Sequence, residues 1–335
     1  MTDQLDTPKG KNIWRSMLPG MVISVLALAV LFRLFDWQEV WLAVRQAEWW
    51  YLLLAVPFYA ASYFLRALAW YLILQKTIPY RKVFFAMHAG YLLNNVLPFR
   101  LGELGRVYLL GHDGPGFWRI FPSVLIERAF DMAFAAALLL GSLPFVLHTS
   151  NAQQIALLVG GLVLFGFLVL FLLARYREWA LKQFERLGER WPLVLRLGKE
   201  RLESFLEGLG ALTSPGRFLQ IFVLVTGGWI FAVLILFIFL RAYYVDAKLI
   251  HATFALGVSA LGVAIPSSPG YVGVYEAAIV GALAVFGIPF STAFAFAVTA
   301  HLAYVLITGT LGAYGLSRSN LSIGQIFQNL KRLKP

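Results

Sequence analysis

Two apolar stretches of this chain are interrupted by a proline that is followed four residues later by a glycine, with a carboxylate close behind. Pro98 and Gly102 mark the first interruption, and Pro266 and Gly270 mark the second, which also contains Pro269. A broken helix in lipid frees backbone N–H and C=O groups, which is tolerated only where protein or a water-filled cavity surrounds them. Paired interruptions in the two halves of a membrane protein indicate a transport site. The sequence therefore predicts a protein that moves or handles a substrate within the bilayer.

The composition is that of an integral membrane protein. Of the 335 residues, 60% are hydrophobic and 13% are charged, whereas about 25% of a soluble domain is charged. The net charge of +11 lies in loops and tails, where the positive-inside rule and anionic lipid headgroups explain it better than nucleic acid does. The chain has no cysteine, five scattered histidines and no nucleotide-binding motif, so we expect no metal, no other cofactor and no enzymatic activity.

Six apolar segments are long enough to cross a hydrocarbon core of about 30 Å at about 1.5 Å per residue. They cover about residues 17–34, 49–74, 120–147, 155–174, 218–240 and 291–316. The first follows a basic N-terminus and lacks a small-residue cleavage site, so we expect a retained span and not a signal peptide. Several tryptophans, Trp229 among them, are assigned to span ends as an interfacial belt.

The distribution of lysine and arginine then predicts on which side of the membrane each segment lies. The N-terminal tail (1–16), the polar insert (175–217) and the C-terminal tail (317–335) are basic, whereas segment 148–154 has no lysine or arginine. By the positive-inside rule both termini are cytoplasmic, and a bacterial inner (plasma) membrane is the default location. The transmembrane domain is expected to cover residues 17–316.

The interrupted regions, 83–110 and 252–286, each lie between spans that end and begin on the same side, so each must cross the membrane an even number of times. Both are short for two full crossings. We therefore expect an all-α protein with about six full spans and two re-entrant hairpins that enter from opposite faces, as in an inverted repeat. Full crossing by these regions is the alternative.

The polar insert predicts two amphipathic helices. Pro192 divides it, and Leu202, Phe205, Leu206 and Leu209 follow helical spacing. The insert is interpreted as a helical connector on the cytoplasmic leaflet, or else as a docking or gating hairpin.

Ionisable side chains inside the third predicted span indicate a site. Glu127 and Asp131 share one helix face, and Arg128 is spaced to pair with Asp131. An unpaired charge in lipid is costly, so the cluster must face protein or water. It either locks helices together as an ion-pair network or binds a lipid headgroup or a proton. A second cation is expected from Arg66, Arg100 or Arg106.

Arg100 and Arg106 lie at the first interruption together with Glu103. Guanidinium groups match phosphate oxygens, so phosphate binding is favoured slightly over the alternative of ordinary cytoplasmic arginines. Asn94 and Asn95 precede the break, where their amides either satisfy the freed backbone groups, which we favour, or donate to the substrate.

The second interruption is suited to an anion. Gly270 and Gly273 permit close approach to the backbone, and the helix that follows presents free N–H groups. Glu276 in its first turn either caps that helix or binds a cationic headgroup or a proton. His301 in the last span either titrates during transport or is simply packed or hydrogen-bonded, which is commoner for a lone histidine.

These residues form four motifs in order: Asn94-Asn95-x-x-Pro98-Phe99-Arg100-x-Gly102-Glu103-x-x-Arg106, Glu127-Arg128-x-x-Asp131, Pro269-Gly270-x-x-Gly273-x-x-Glu276 and His301-x-x-Tyr304. With them the chain resembles the flippase-like transmembrane domain of the lysylphosphatidylglycerol synthase/flippase superfamily, as a stand-alone member. The resemblance implies an inner-membrane protein with broken helices that moves lipids or lipid-linked molecules between leaflets. In two-domain relatives an aminoacyl-transferring domain follows the last span. Only residues 317–335 follow it here, so lipid aminoacylation is not expected.

The expected function is transbilayer movement of a phospholipid or lipid-linked molecule through a cavity lined by the two interruptions. The expected substrate-binding residues are Asn94, Asn95, Arg100, Glu103, Arg106, Arg66, Gly270 and Gly273. The alternatives are a membrane-embedded transferase acting on a polyprenyl-phosphate or glycolipid, and a regulatory membrane scaffold. The expected partners are the lipid substrate and anionic headgroups, not nucleic acid, and a homo-oligomer is left open.

Overall fold

The computed structural model describes residues 36–97, 100–112, 114–146, 152–188, 192–264, 268–319 and 321–332. Within these ranges the chain forms α-helices and short 3-10 helices and no β-strand, so the expected all-α class of a polytopic membrane protein is confirmed. The predicted first span (17–34), Pro98 and Pro266 lie outside the described residues.

The helices are, in chain order, α1 (Trp37–Gln46), α2 (Trp50–Ile73), α3 (Tyr80–Val96), α4 (Leu101–His112), α5 (Phe117–Ser142), α6 (Ala152–Arg175), α7 (Arg177–Gly188), α8 (Pro192–Gly208), α9 (Pro215–Tyr243), α10 (Leu249–Gly262), α11 (Val274–Ala284), α12 (Phe290–Ser317) and α13 (Ile323–Arg332). Helices α2, α5, α9 and α12 are long and apolar enough to cross a membrane, and each coincides with a predicted span. The predicted span at 155–174 lies within α6.

Each interruption separates two short helices that pack against each other. Helices α3 and α4, of 17 and 12 residues, flank the first interruption, and α10 and α11, of 14 and 11 residues, flank the second. At about 1.5 Å per residue the longest of these helices measures about 26 Å, which is shorter than a hydrocarbon core of about 30 Å. Between α10 and α11 the chain makes a 3-10 turn, Pro269–Tyr271.

Helix contacts repeat between the two halves of the chain. Helices α2 and α9 run antiparallel: Trp49, just before α2, contacts Tyr243 at the end of α9, whereas Gln75, just after α2, contacts Arg217 at the start of α9. Helix α3 packs on α12, and α10 packs on α5. Two apolar cores result, one around α3 and α4 and the other around α10 and α11.

The polar insert folds into α7 and α8, and α8 begins at Pro192. The apolar face of α8 is covered by protein, because Leu206, like Leu209 just after the helix, is buried in the first core, and the Phe205 ring lies 6.4 Å from the ring of Phe121 on α5. This hairpin, called the polar hairpin below, is therefore fixed to the ends of the long helices by its apolar face.

Candidate functional site

The two interruptions touch each other. A Cβ atom added to Gly270 would lie 3.5 Å from the carbonyl oxygen of Asn95. The Arg100 guanidinium lies over the ring of Tyr271, 5.4 Å from its centroid. Arg100 and Tyr271 both have a left-handed backbone, with φ of +55° and +59°, a conformation that is strained in residues other than glycine. This meeting point, called the junction below, brings residues from both halves of the chain together.

Close packing of α3 and α4 forms one side of the junction. The Asn94 side-chain oxygen accepts the Gly102 N–H at 2.8 Å, so this amide satisfies a backbone group freed by the break. A Cβ atom at Gly102 would lie 2.0 Å from the carbonyl oxygen of Gly90, which is why only glycine fits there. The Asn95 amide donates to the Thr308 hydroxyl of α12 at 3.2 Å and ties the first interruption to the last span.

Arg128 is the centre of a network of ion pairs on α5. Its guanidinium nitrogens lie 2.8 Å from Asp131, 2.9 Å from Glu127 and 3.3 Å from Glu103. The pairing with Asp131, predicted from the spacing of the two residues, is confirmed. The contact with Glu103 joins α5 to the first turn of α4, so the network starts at the first interruption.

Three further arginines pair with the same carboxylates. The nitrogen–oxygen distances are 3.3 Å for Arg66–Asp131, 3.6 Å for Arg100–Glu103 and 3.0 Å for Arg106–Glu127. The second cation that the α5 cluster requires is thus supplied from α2 and α4. Four arginines face three carboxylates, which leaves the network with one net positive charge.

Arg106 is enclosed, unlike the other arginines of the network. Its side chain is 2% exposed, whereas Arg66, Arg100 and Arg128 are 22%, 23% and 27% exposed. It stacks on Trp70 with 4.5 Å to the ring centroid, and its guanidinium faces Glu127 at ion-pair distance without hydrogen-bond geometry. The sequence gives Arg100 and Arg106 the same phosphate-binding role, but burial between helices keeps Arg106 from an approaching ligand. We assign it to holding α4 against α5.

Two aromatic side chains of the site are missed by the sequence reasoning. Trp229 lies in the middle of α9, so its assignment to an interfacial belt is wrong: its indole N–H donates to Asp131 at 3.2 Å, and the Arg66 guanidinium lies over its ring. A buried carboxylate needs such a donor. Tyr271 contacts Arg100, and the one sequence signal for it is its position between Gly270 and Gly273.

The second interruption has an ion pair of its own. One oxygen of Glu276 accepts the Gly273 N–H at 2.6 Å, so Glu276 caps α11, and the other lies 2.5 Å from Nδ1 of His301 on α12. Both side chains are buried. Glu276 and His301 are 25 residues apart, the same separation as between Glu103 and Arg128. In each half, the carboxylate that follows the break therefore pairs with a nitrogen side chain on the next long helix.

The family comparison covers the whole of this arrangement. The family model described as "Lysylphosphatidylglycerol synthase TM region" matches residues 17–312. No curated protein and no solved structure matches the chain. In the part of the chain that the structure describes, no group of three or more histidine and acidic side chains is placed to hold a metal ion.

Proposed function

We propose, since the chain belongs to the lysylphosphatidylglycerol synthase TM region family, that it moves a phospholipid or a lipid-linked molecule between the two leaflets of a membrane. The observation that carries this proposal is the junction, where two helix breaks meet beside an ion-pair network with one net positive charge. A phosphodiester has a single negative charge, which matches that surplus. Guanidinium groups bind phosphate oxygens in a planar, two-pronged geometry.

Arg100 and Arg128 are the proposed phosphate ligands, because both contact Glu103 at the junction and both are partly exposed. The Nε atoms of both side chains are enclosed and have no hydrogen-bond partner among the described residues. Buried donors of this kind normally find an acceptor. We infer that α4 and the Pro269–Tyr271 turn separate to admit the phosphate, with acyl chains left in the lipid. Opening to one face at a time is alternating access.

We also propose that the two short helix pairs are re-entrant hairpins of an inverted repeat, with the termini cytoplasmic and the chain in an inner (plasma) membrane. Three observations support the repeat: the antiparallel packing of α2 on α9, the matching contacts of α3 with α12 and α10 with α5, and the equal spacing of the two carboxylate pairs. The short helices support re-entrance, because each of them is shorter than a core of about 30 Å.

Side-specific labelling tests this topology, since the natural chain has no cysteine. Single cysteines at Thr77 and His112 flank α3 and α4, and cysteines at Val245 and Val285 flank α10 and α11; all four positions are exposed. We expect a membrane-impermeant maleimide to label the first two from the cytoplasmic face and the last two from the opposite face. Labelling of the cysteines at Thr77 and His112 from opposite faces would overturn the proposal. Labelling of a cysteine at Val96 from the outer face would instead indicate full crossing.

Leaflet exchange tests the function. The purified chain is reconstituted in liposomes with headgroup-labelled anionic, zwitterionic or cationic phospholipid, and chemical reduction from outside reports the labelled lipid that has crossed. We expect exchange well above protein-free vesicles, reduced about tenfold in Arg100→Gln through loss of a charge-assisted phosphate contact. Arg81→Gln, which removes an exposed arginine over Phe85, is the matched control and should exchange like the wild type.

Absence of exchange for every headgroup, with and without a pH gradient, would refute movement of phospholipids. The same assay with labelled polyprenyl-phosphate lipids then tests a lipid-linked cargo. A failure there as well would leave the membrane-embedded transferase and the regulatory scaffold.

A further inference from the structure

A second basic site lies away from the junction, in a cavity of about 540 Å³ between the polar hairpin and the ends of the long helices. Arg119 lies in the first turn of α5, about two helical turns before Glu127, which places it about 12 Å along the helix from the ion-pair network. The side chains that matter for its chemistry are Gln75, Arg119, Arg177, Glu207, Ser214 and Arg217.

Close backbone packing holds the polar hairpin against α5 beside this cavity. A Cβ atom at Gly208 would lie 2.5 Å from the carbonyl oxygen of Arg119. The Gln75 side chain, on a residue with left-handed φ of +54°, donates to the Glu207 carbonyl at 3.1 Å and accepts from Arg217 at 3.2 Å. One amide thereby ties the end of α2, the end of α8 and the start of α9 together, so the cavity wall is fixed before any ligand arrives.

The charge of the cavity is positive. Arg119 pairs with Glu207 at 3.6 Å, and Arg217 contacts the uncharged Gln75 amide. Arg177 has no ion-pair partner among the described residues. Two positive charges therefore remain, beside the N-terminus of α9, where Ser214 caps the Arg217 N–H at 3.5 Å and the helix dipole adds positive potential. Such a set is suited to phosphate oxygens.

The surroundings of the cavity are those of a membrane interface. Two apolar helices meet it, since α6 ends at Arg175 and α9 begins at Pro215. Next to it Tyr176 and Trp179 are 56% and 62% exposed, as aromatic side chains in an interfacial belt are. The Phe167 ring of α6 contacts the Phe218 ring of α9 at 6.4 Å, and the exposed apolar surface of these two helices continues away from the cavity.

We propose that this cavity binds the phosphate of an anionic phospholipid, with the headgroup on Arg177 and Arg217 and the acyl chains along α6 and α9. The bound lipid is a fixed ligand that holds the polar hairpin to the long helices and is separate from the lipid that is moved. A soluble phosphate ester has the same recognised chemistry and is the other source of ligand.

Native mass spectrometry of the full chain in detergent measures this binding with dihexanoylphosphatidylglycerol as the probe. Every variant is made in an Arg100→Gln background, which removes phosphate binding at the junction from the measured Kd. We expect Arg177→Gln/Arg217→Gln to raise the Kd of the first bound lipid about tenfold or more, because two charge-assisted contacts are lost. Lys182→Gln/Arg186→Gln removes two exposed cations from the same hairpin and should change the Kd less than about twofold. Glu207→Gln makes the cavity more positive and should lower the Kd.

An equal Kd in the two double variants would overturn the proposal, as would weaker binding in Glu207→Gln. Glycerol phosphate distinguishes the two ligand sources. A Kd for glycerol phosphate far above that of the lipid identifies a lipid site, and an equal Kd identifies a soluble phosphate ester at the same cavity. The result is independent of leaflet exchange, because a protein that moves no lipid can still bind one here.

Discussion

Replacement of Arg106 by alanine is expected to lower the free energy of unfolding by about 3–5 kcal/mol, because it leaves the Glu127 carboxylate in the interior without its closest partner on α4. The Arg106 side chain is 2% exposed, lies 3.0 Å from Glu127 and stacks on Trp70 at 4.5 Å. The variant therefore loses a buried ion pair and a ring contact together. Denaturant titration of the purified protein in detergent measures this loss of unfolding free energy.

A double-mutant cycle separates the charge from the packing. In the Arg106→Ala background, Glu127→Gln removes a carboxylate that has lost its α4 partner and keeps only Arg128, and it is expected to recover part of the loss, as coupled buried partners do. Arg45→Ala is the control, because Arg45 is exposed and lies over the Trp41 ring at 5.1 Å; its loss should stay below about 1 kcal/mol. An Arg106→Ala loss no larger than that of Arg45→Ala would contradict the role assigned to Arg106.

Much of the fold follows from the sequence because apolar length and charge spacing are local properties. Helices α2, α5, α9 and α12 coincide with predicted spans since each is a long apolar run. The Arg128–Asp131 pair follows from helical geometry alone. The division of the polar insert at Pro192 also follows, because proline is favoured at the start of a helix.

The junction could not be derived in this way, because it depends on contacts between residues far apart in the chain. Nothing local to Asn95 indicates that Gly270 packs on it, and nothing local to Trp229 indicates that it donates to Asp131. Arg100 and Arg106 look alike in the sequence. The packing of α4 between α3 and α5 alone makes one a fixed structural residue and leaves the other partly exposed.

Each half of the site pairs a carboxylate with a nitrogen side chain, but the nitrogen side chain differs between the halves. Glu103 pairs with Arg128, and Glu276 pairs with His301 at the same sequence separation. An arginine stays charged at every physiological pH, whereas a histidine gains and loses its proton in that range. The first half therefore supplies a permanent cation for the proposed phosphate. The second half instead pairs Glu276 with the imidazole of His301, so we propose that any proton coupling belongs to the second half.

A pH gradient is accordingly expected to change the rate of leaflet exchange, and Glu276→Gln is expected to abolish that response. The glutamine keeps an oxygen for the Gly273 N–H but cannot bind the proton, and the groups facing His301, the rings of Tyr275 and Tyr304 at 4.7 and 6.5 Å, are neutral near pH 7. Glu39→Gln is the control, since this exposed carboxylate also contacts α12, through Ser291 at 2.7 Å. An unchanged pH response in Glu276→Gln, with basal exchange intact, would place the coupling proton elsewhere in the network.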